Sequence, residues 1–228
     1  VSGGPARPED WFPLDEAEHE RQVGGLLGLL GDAPRRVVDL GAGDGRVARP
    51  LADAGHDVLC LDRDPDAVRR CEAAGLRARG ADFLSPDADL SHPAGPPEAV
   101  LCLGHTLLTV HDPDDALSLF RRLRATVAPG APLLVDNSPE ELWSEISDGY
   151  WQAGLAETGD AQLVWARGDN VIAIRPRGEM DPDRETPDER DRRLRIWSLG
   201  ELTLLGAATG WGRPEPLPEH ALLRFEPA

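Results

Sequence analysis

Short apolar runs alternate along this chain with segments of helical spacing. The runs at 36–40, 58–61, 99–103 and 132–136 are apolar through their centres, the pattern of strands buried on both faces. Residues 76–80 form a shorter, polar strand between the second and third of them. Ahead of the first run, Val23, Leu26, Leu27 and Leu30 recur about one helical turn apart, predicting a helix over 15–30 that Gly31 stops. A crossover helix is predicted at 44–54, ended by Gly55, and Pro50 inside it conflicts with a continuous helix. Asp64 followed by Pro65 marks the start of a helix that Gly75 ends. Residues 85–97 are a Pro/Asp/Gly connection with one turn of helix, and 113–127 is an amphipathic helix with Leu117, Phe120, Leu123 and Val127 on one face. His111 is read as the cap of that helix.

The pattern changes after residue 138. A helix is expected at 140–150. A hairpin is expected at 162–166 and 171–175, turning through Arg167-Gly168-Asp169-Asn170. A charged, mobile loop at 178–192 should follow, then a further antiparallel strand at 193–197. Ser198 caps a last helix to 208, and closing strands lie near 213–217 and 221–226. The predicted architecture is α/β: a doubly wound, mostly parallel sheet with a small antiparallel insertion after strand 5. One domain spans 1–228, with a lid helix at 1–34, a core at 35–138 and 198–228, and a substrate-side insertion at 139–197.

Composition narrows the function classes. The chain has 228 residues, 40% hydrophobic, and a formal net charge of −17. That charge repels phosphate backbones and anionic lipid, so neither nucleic acid nor a membrane is the expected partner. No apolar run approaches the roughly 18 residues of a span, the first residues lack a signal-peptide pattern, and a cytoplasmic protein is the expectation. Every basic side chain is Arg or His, which excludes a lysine Schiff base or lysine general base. Cys60, Cys71 and Cys102 form no C-x-x-C pair and read as small buried hydrophobes, and no metal site is expected.

The chemistry sits at the strand ends, where open α/β sheets bind ligands. After strand 1 comes Asp39-Leu40-Gly41-Ala42-Gly43-Asp44-Gly45, a glycine turn that lets a ligand approach, followed by a helix whose first N–H groups can face it. Position 46 is Arg46, where the dinucleotide fingerprint G-x-G-x-x-G needs glycine, which points away from a nicotinamide cofactor. Asp62 ends strand 2 at the distance expected for a ribose-binding acid. Asp82-Phe83 follows strand 3, an acid and a ring suited to adenine, and Leu103-Gly104-His105 follows strand 4.

Taken in order, these residues resemble the class I S-adenosylmethionine-dependent methyltransferases over about 35–137 and 198–226. The resemblance implies a seven-stranded Rossmann-like sheet with its last strand antiparallel. It also implies S-adenosyl-L-methionine as cofactor and S-adenosyl-L-homocysteine as product. It places the methionine part against Asp39, Gly41 and Gly43, ribose on Asp62, adenine on Asp82 and Phe83, and the sulfonium near Leu103, Gly104 and His105. Ala42, Arg46 and Arg63 flank these positions. Glu98 departs from the Asp that often precedes strand 4, and no Asn-Pro-Pro-Tyr signature or metal-binding acid pair is present.

The expected reaction is methyl transfer to an O, N or C atom of a small molecule, with His105 as candidate base. Trp11, Phe12, Asp136, Asn137, Trp143 and Tyr150 are the candidate substrate contacts, and Arg175, Arg177, Arg193 and Arg195 are candidates for a substrate carboxylate. Methyl transfer from a sulfonium often needs only alignment and desolvation, so the base stays optional. A cyclase-like enzyme or partner module that binds the same cofactor without transferring methyl is the competing reading; a nicotinamide oxidoreductase ranks below both. The chain is expected to be a monomer or a homodimer, the 162–175 hairpin offering strands to pair across two copies.

Overall fold

The computed structural model describes residues 15–136, the backbone of 155–158, and residues 161–228. Trp11, Phe12, Asn137, Trp143, Tyr150 and the helix expected at 140–150 lie outside the described residues.

Helix α1 (Glu16–Leu30) opens with a capping box: Glu18 N–H donates to Asp15 at 2.7 Å and Asp15 N–H to Glu18 at 3.0 Å. Gly31 ends it in a left-handed φ of 71°. Its buried stripe is Gln22, Gly25, Leu26 and Leu30, so α1 is docked on the core. Gly25 is needed there because a Cβ would lie 2.4 Å from the His220 ring.

The chain then alternates strand and helix: β1 (Arg36–Leu40), α2 (Ala48–Asp53), β2 (Asp57–Asp62), α3 (Pro65–Ala73), β3 (Arg77–Gly80), β4 (Ala99–Cys102), α4 (Pro113–Thr126) and β5 (Leu133–Val135). After these come β6 (Leu155–Thr158), β7 (Ala161–Trp165), β8 (Val171–Pro176), β9 (Arg193–Arg195), α5 (Leu199–Thr209), β10 (Glu215–Leu217) and β11 (Leu222–Phe225). The main sheet has seven strands in the order β10-β11-β5-β4-β1-β2-β3. Strands β1 to β5 are mutually parallel, while β11 runs antiparallel between β5 and β10. The antiparallel strand is therefore the last in sequence, second from the edge in space. Strands β6-β7-β8-β9 form a separate antiparallel sheet.

Successive residues of the central strands feed opposite layers. Val38, Leu59 and Val100 pack with α4, Trp211 and Phe225, whereas Val37, Cys60 and Leu101 pack with Leu26, Leu30 and Leu51. Each such burial contributes roughly 1.5–3 kcal/mol, which is why these strands read as continuous apolar runs.

Several local expectations change. The first crossover helix begins at Ala48, because residues 41–47 form consecutive turns. Pro50 consequently falls in its first turn, where a missing N–H costs nothing, and the conflict disappears. Residues 85–97 hold turns and an isolated His92–Gly95 bridge with no helical turn. Asp112, not His111, caps α4, accepting from Asp114 N–H at 2.8 Å. The loop at 178–192 is tied down by Arg175, whose guanidinium donates to Asp191, Arg184 and Thr186. The 162–175 hairpin is internal to its sheet, flanked by β6 and β9, so neither of its strands is open to a second copy.

Candidate functional site

The five parallel strands deliver their carboxyl ends to one edge, and strand order reverses between β1 and β4. That crevice collects Asp39, the glycine turn, Asp62, Leu103-Gly104-His105 and Asp136.

Gly41, Gly43 and Gly45 all adopt left-handed φ, at 68°, 60° and 83°. A Cβ on Gly41 would sit 2.6 Å from Thr106 Cγ2, so glycine lets the ends of β1 and β4 close on each other. At Gly43 the same position meets nothing within 4 Å. The turn thus leaves open space there for a ligand. Four of its donors, however, are spent inside the protein. Gly41 and Ala42 N–H both donate to the Leu61 carbonyl, at 2.8 and 3.2 Å, Gly45 N–H donates to Ala42, and Gly43 N–H donates to Asp62 Oδ2 at 2.8 Å. At Gly41, Ala42, Gly43 and Gly45 the turn supplies shape rather than the free N–H groups its sequence advertises.

Asp62 accepts a second bond on Oδ1, from Asp64 N–H at 2.9 Å. A carboxylate has about four acceptor positions, so capacity for a ligand's hydroxyls remains. Arg63 next to it is exposed. Beyond β3, Asp82 is exposed and accepts from Leu84 N–H at 3.1 Å. Phe83 is buried, and Arg122 donates to its carbonyl and to that of Ser85. Arg122 thereby fixes the Asp82-Phe83 turn from α4.

At the end of β4, Gly104 and His105 are both left-handed, with φ of 65° and 58°. Such a φ is uncommon outside glycine and is tolerated where surroundings enforce it. Asp136 supplies the enforcement, its Oδ2 accepting the His105 N–H at 2.9 Å. Thr106 Oγ1 donates to the Leu103 carbonyl at 2.7 Å and closes the turn. Asp136, read from sequence as a substrate contact, therefore also holds the backbone of the candidate base.

Electrostatics mark the same crevice. Burial pushes the Asp39 carboxyl up to about 7; Arg46 opposes the rise, and Asp62 and Asp136 add to it. Burial also raises Asp136, with His105 and Arg46 acting against it. The three cysteines are buried and free, as expected, and burial raises each thiol. Among the described residues no group of His, Cys, Asp and Glu is placed to hold a metal ion, and no helix is long and apolar enough to cross a membrane.

Sequence reasoning missed a contact from α1. Arg46 Nη1 lies 2.7 Å from His19 Nδ1, and its Nη2 donates to Gln22 Oε1 at 2.8 Å. The available signal was Gln22 itself, a polar residue at the 22-26-30 positions of an otherwise apolar stripe. The arginines expected to meet a substrate carboxylate divide: Arg175 and Arg195 are buried and bonded to Asp191 and to Asp169 and Glu201, which removes them as receptors.

The strand order 3-2-1-4-5 with an antiparallel strand inserted beyond β5, together with a glycine turn at the switch point, defines a class I methyltransferase architecture. Residues 37–130 match the family model described as Methyltransferase domain. The 2-ketoarginine methyltransferase of Streptomyces arginensis is 38% identical over 85 residues, covering 36% of this chain and 25% of that protein. The UDP-N-acetylmuramoylalanine–D-glutamate ligase of Mesorhizobium japonicum is 33% identical over 105 residues, covering 42% of this chain and 22% of that protein. The matched segments thus span a quarter or less of these curated relatives. Among solved structures, the SAM-bound amino pentose methyltransferase CalS10 of Micromonospora echinaspora superposes with a TM-score of 0.62 at 15% identity, covering all of both chains. That likeness shows the fold.

Proposed function

We propose that this chain is an S-adenosylmethionine-dependent methyltransferase acting on a small molecule at an O, N or C atom. The observation that carries the reading is the ordered set of strand ends within the matched domain. Asp39, an open Gly43 cradle and Asp62 follow one another around the switch point.

The residues fit the cofactor chemically. It would bring a sulfonium and an ammonium, and a crevice holding buried Asp39 and Asp136 favours cations. When bound, the sulfonium supplies an activated methyl group. Asp62 has the acceptor capacity to hold the ribose hydroxyls, and Asp82 with Phe83 bounds the adenine end. Leu103, Gly104 and His105 form the wall beside the reacting centre, and Asp136 keeps that wall in its left-handed turn. His105 is the group proposed to receive a proton from an acceptor hydroxyl or amine. Sugar and natural-product acceptors are favoured by the amino pentose methyltransferase likeness.

Calorimetric titration with S-adenosylhomocysteine tests the cofactor pose. Asp62→Ala is expected to weaken binding by about 100-fold, since it removes a charged acceptor and orphans the Gly43 N–H. Undiminished binding would overturn the pose. Formation of S-adenosylhomocysteine from S-adenosylmethionine, over a panel of hydroxyl, amine and carbon-acid acceptors, tests transfer itself.

A further inference from the structure

His105 stands in an unfavourable backbone state. Its φ is 58°, a value that a residue with a β-carbon keeps only where its neighbours impose it. Asp136 holds it from the main sheet. The opposite side is held from farther along the chain. A single helical turn, Thr106–Thr109, follows His105, and the Leu108 N–H donates back to the His105 carbonyl at 3.0 Å. The Leu108 side chain packs apart from the main core, with Ile172, Leu194 and Ile196 of the β6–β9 sheet. One residue thus has its backbone on His105 and its side chain in the insertion.

Two buried side chains of the insertion grip the same turn. Trp197 Nε1 donates to the Leu107 carbonyl at 3.2 Å, and Arg195 Nε donates to the His111 carbonyl at 2.8 Å. Arg195 is itself fixed. Its Nη1 and Nη2 each donate to Asp169 at 2.7 Å, Nη1 also reaches Glu201 at 3.2 Å, and the guanidinium lies over the Trp197 ring, 5.3 Å from its centroid. Glu201 closes the α5 cap, accepting from Ser198 N–H at 2.8 Å, and it accepts from Asn170 Nδ2 at 3.0 Å. The hairpin turn, the α5 cap and β9 therefore meet at one guanidinium, and that guanidinium pins the far end of the segment that begins at His105. A bidentate, planar guanidinium is a stiff anchor.

We infer that Arg195 and Trp197 are positioning residues for His105, acting through the 106–111 segment to keep its imidazole at the reacting centre. The inference rests on the transferase reading above and deepens it, because it makes the insertion part of what aims the candidate base. A misplacement of about 1 Å can cost about 100-fold in rate, which gives such anchoring its weight. Neither residue bonds to Asp39, Gly43 or Asp62 among the described residues, so their loss should disturb the base and spare the cofactor.

The test is NMR on the full chain, isotope-labelled in its backbone nitrogens and its six histidine rings, with S-adenosylhomocysteine as the probe. Trp197→Phe removes one donor and keeps a buried ring. Arg195→Met removes the anchor and keeps most of the stem. In both, the His105 amide should exchange about tenfold faster or more, the effect of about one lost hydrogen bond. The His105 ring signal should move, with that of His111 beside it, while those of His19, His56, His92 and His220 stay in place. S-adenosylhomocysteine should bind within about threefold of its native affinity, which also shows that the variants are folded. Arg175→Met with Asp191→Leu alters the other end of the same sheet, where Arg175 bonds to Asp191, Arg184 and Thr186, and should leave the His105 signals native. That comparison separates positioning from general loosening of the insertion. His105 signals that stay native in Trp197→Phe and Arg195→Met, or that move equally in the Arg175 and Asp191 double variant, overturn the inference. Failure of the cofactor reading looks different: S-adenosylhomocysteine does not bind the native protein, or binds without moving the His105 ring signal, whatever the variants do.

Discussion

The strand-end rim of the main sheet and the β6–β9 insertion both bury charge, and they handle it in opposite ways. In the insertion, Arg175 is 1% exposed and all five of its donors are used. It makes a bidentate pair with Asp191 at 2.8 Å and bonds to Gln162, Arg184 and Thr186. Arg195 joins Asp169 in the hairpin turn, Glu201 in α5 and the His111 carbonyl. At the rim, Asp39 is driven up to about 7 by burial, Asp136 is raised too, and Gln22 Nε2 has no hydrogen-bond partner among the described residues. Satisfied buried charge here is scaffold that ties the insertion to the core. At the rim, burial instead leaves carboxyls with raised pKa values, the kind of perturbation expected where a ligand is to be met.

The sharpest way to break this contrast is to remove a charge from each region. Arg175→Ala should destabilise the protein by about 3–5 kcal/mol in denaturant unfolding, since it strands Asp191 and the loop carbonyls. Replacing both partners, Arg175→Met with Asp191→Leu, should recover much of that loss. Asp39→Asn should do the reverse. The folded pKa of Asp39 lies above its ordinary 3.8, so the folded state binds the extra proton. Its contribution is thus harmless below about pH 4, and stability is lost as pH rises from there to about 7. Asp39→Asn should flatten that decline by a few kcal/mol, on the order of 1.4 kcal/mol per pKa unit. A variant as pH-sensitive as the native protein would remove Asp39 from the account. A smaller effect separates shape from charge at the rim. Gly43→Ala imposes a left-handed alanine at about 1–2 kcal/mol without a clash, and should weaken S-adenosylhomocysteine about tenfold by filling the cradle.

Much of the rim was legible in the sequence because strand ends follow directly from apolar runs and glycine punctuation. Asp39, Asp62, Asp82 and His105 stand where those runs stop. The first crossover helix was placed too early because the acidic, glycine-rich segment 41–47 looks like a helix entrance, while its N–H groups bond back to Leu61 and Asp62. The Arg46–Gln22 and Arg195–Asp169 links were invisible for a simpler reason. They join side chains 24 and 26 residues apart, and periodicity carries no information on which polar groups meet across elements. The 178–192 loop read as mobile from its charge, although a buried arginine uses that charge to fix it.

The central claim is that the rim around Asp39 receives the ammonium of an adenosyl amino acid. Titrating the full chain with S-adenosylhomocysteine at about pH 5.5 and about pH 8 tests it most directly. Ionised Asp39 attracts the ligand ammonium, so binding should be about tenfold or more tighter at the higher pH, and Asp39→Asn should remove most of the difference. Binding of equal strength at both values, or no binding at either, would contradict the account.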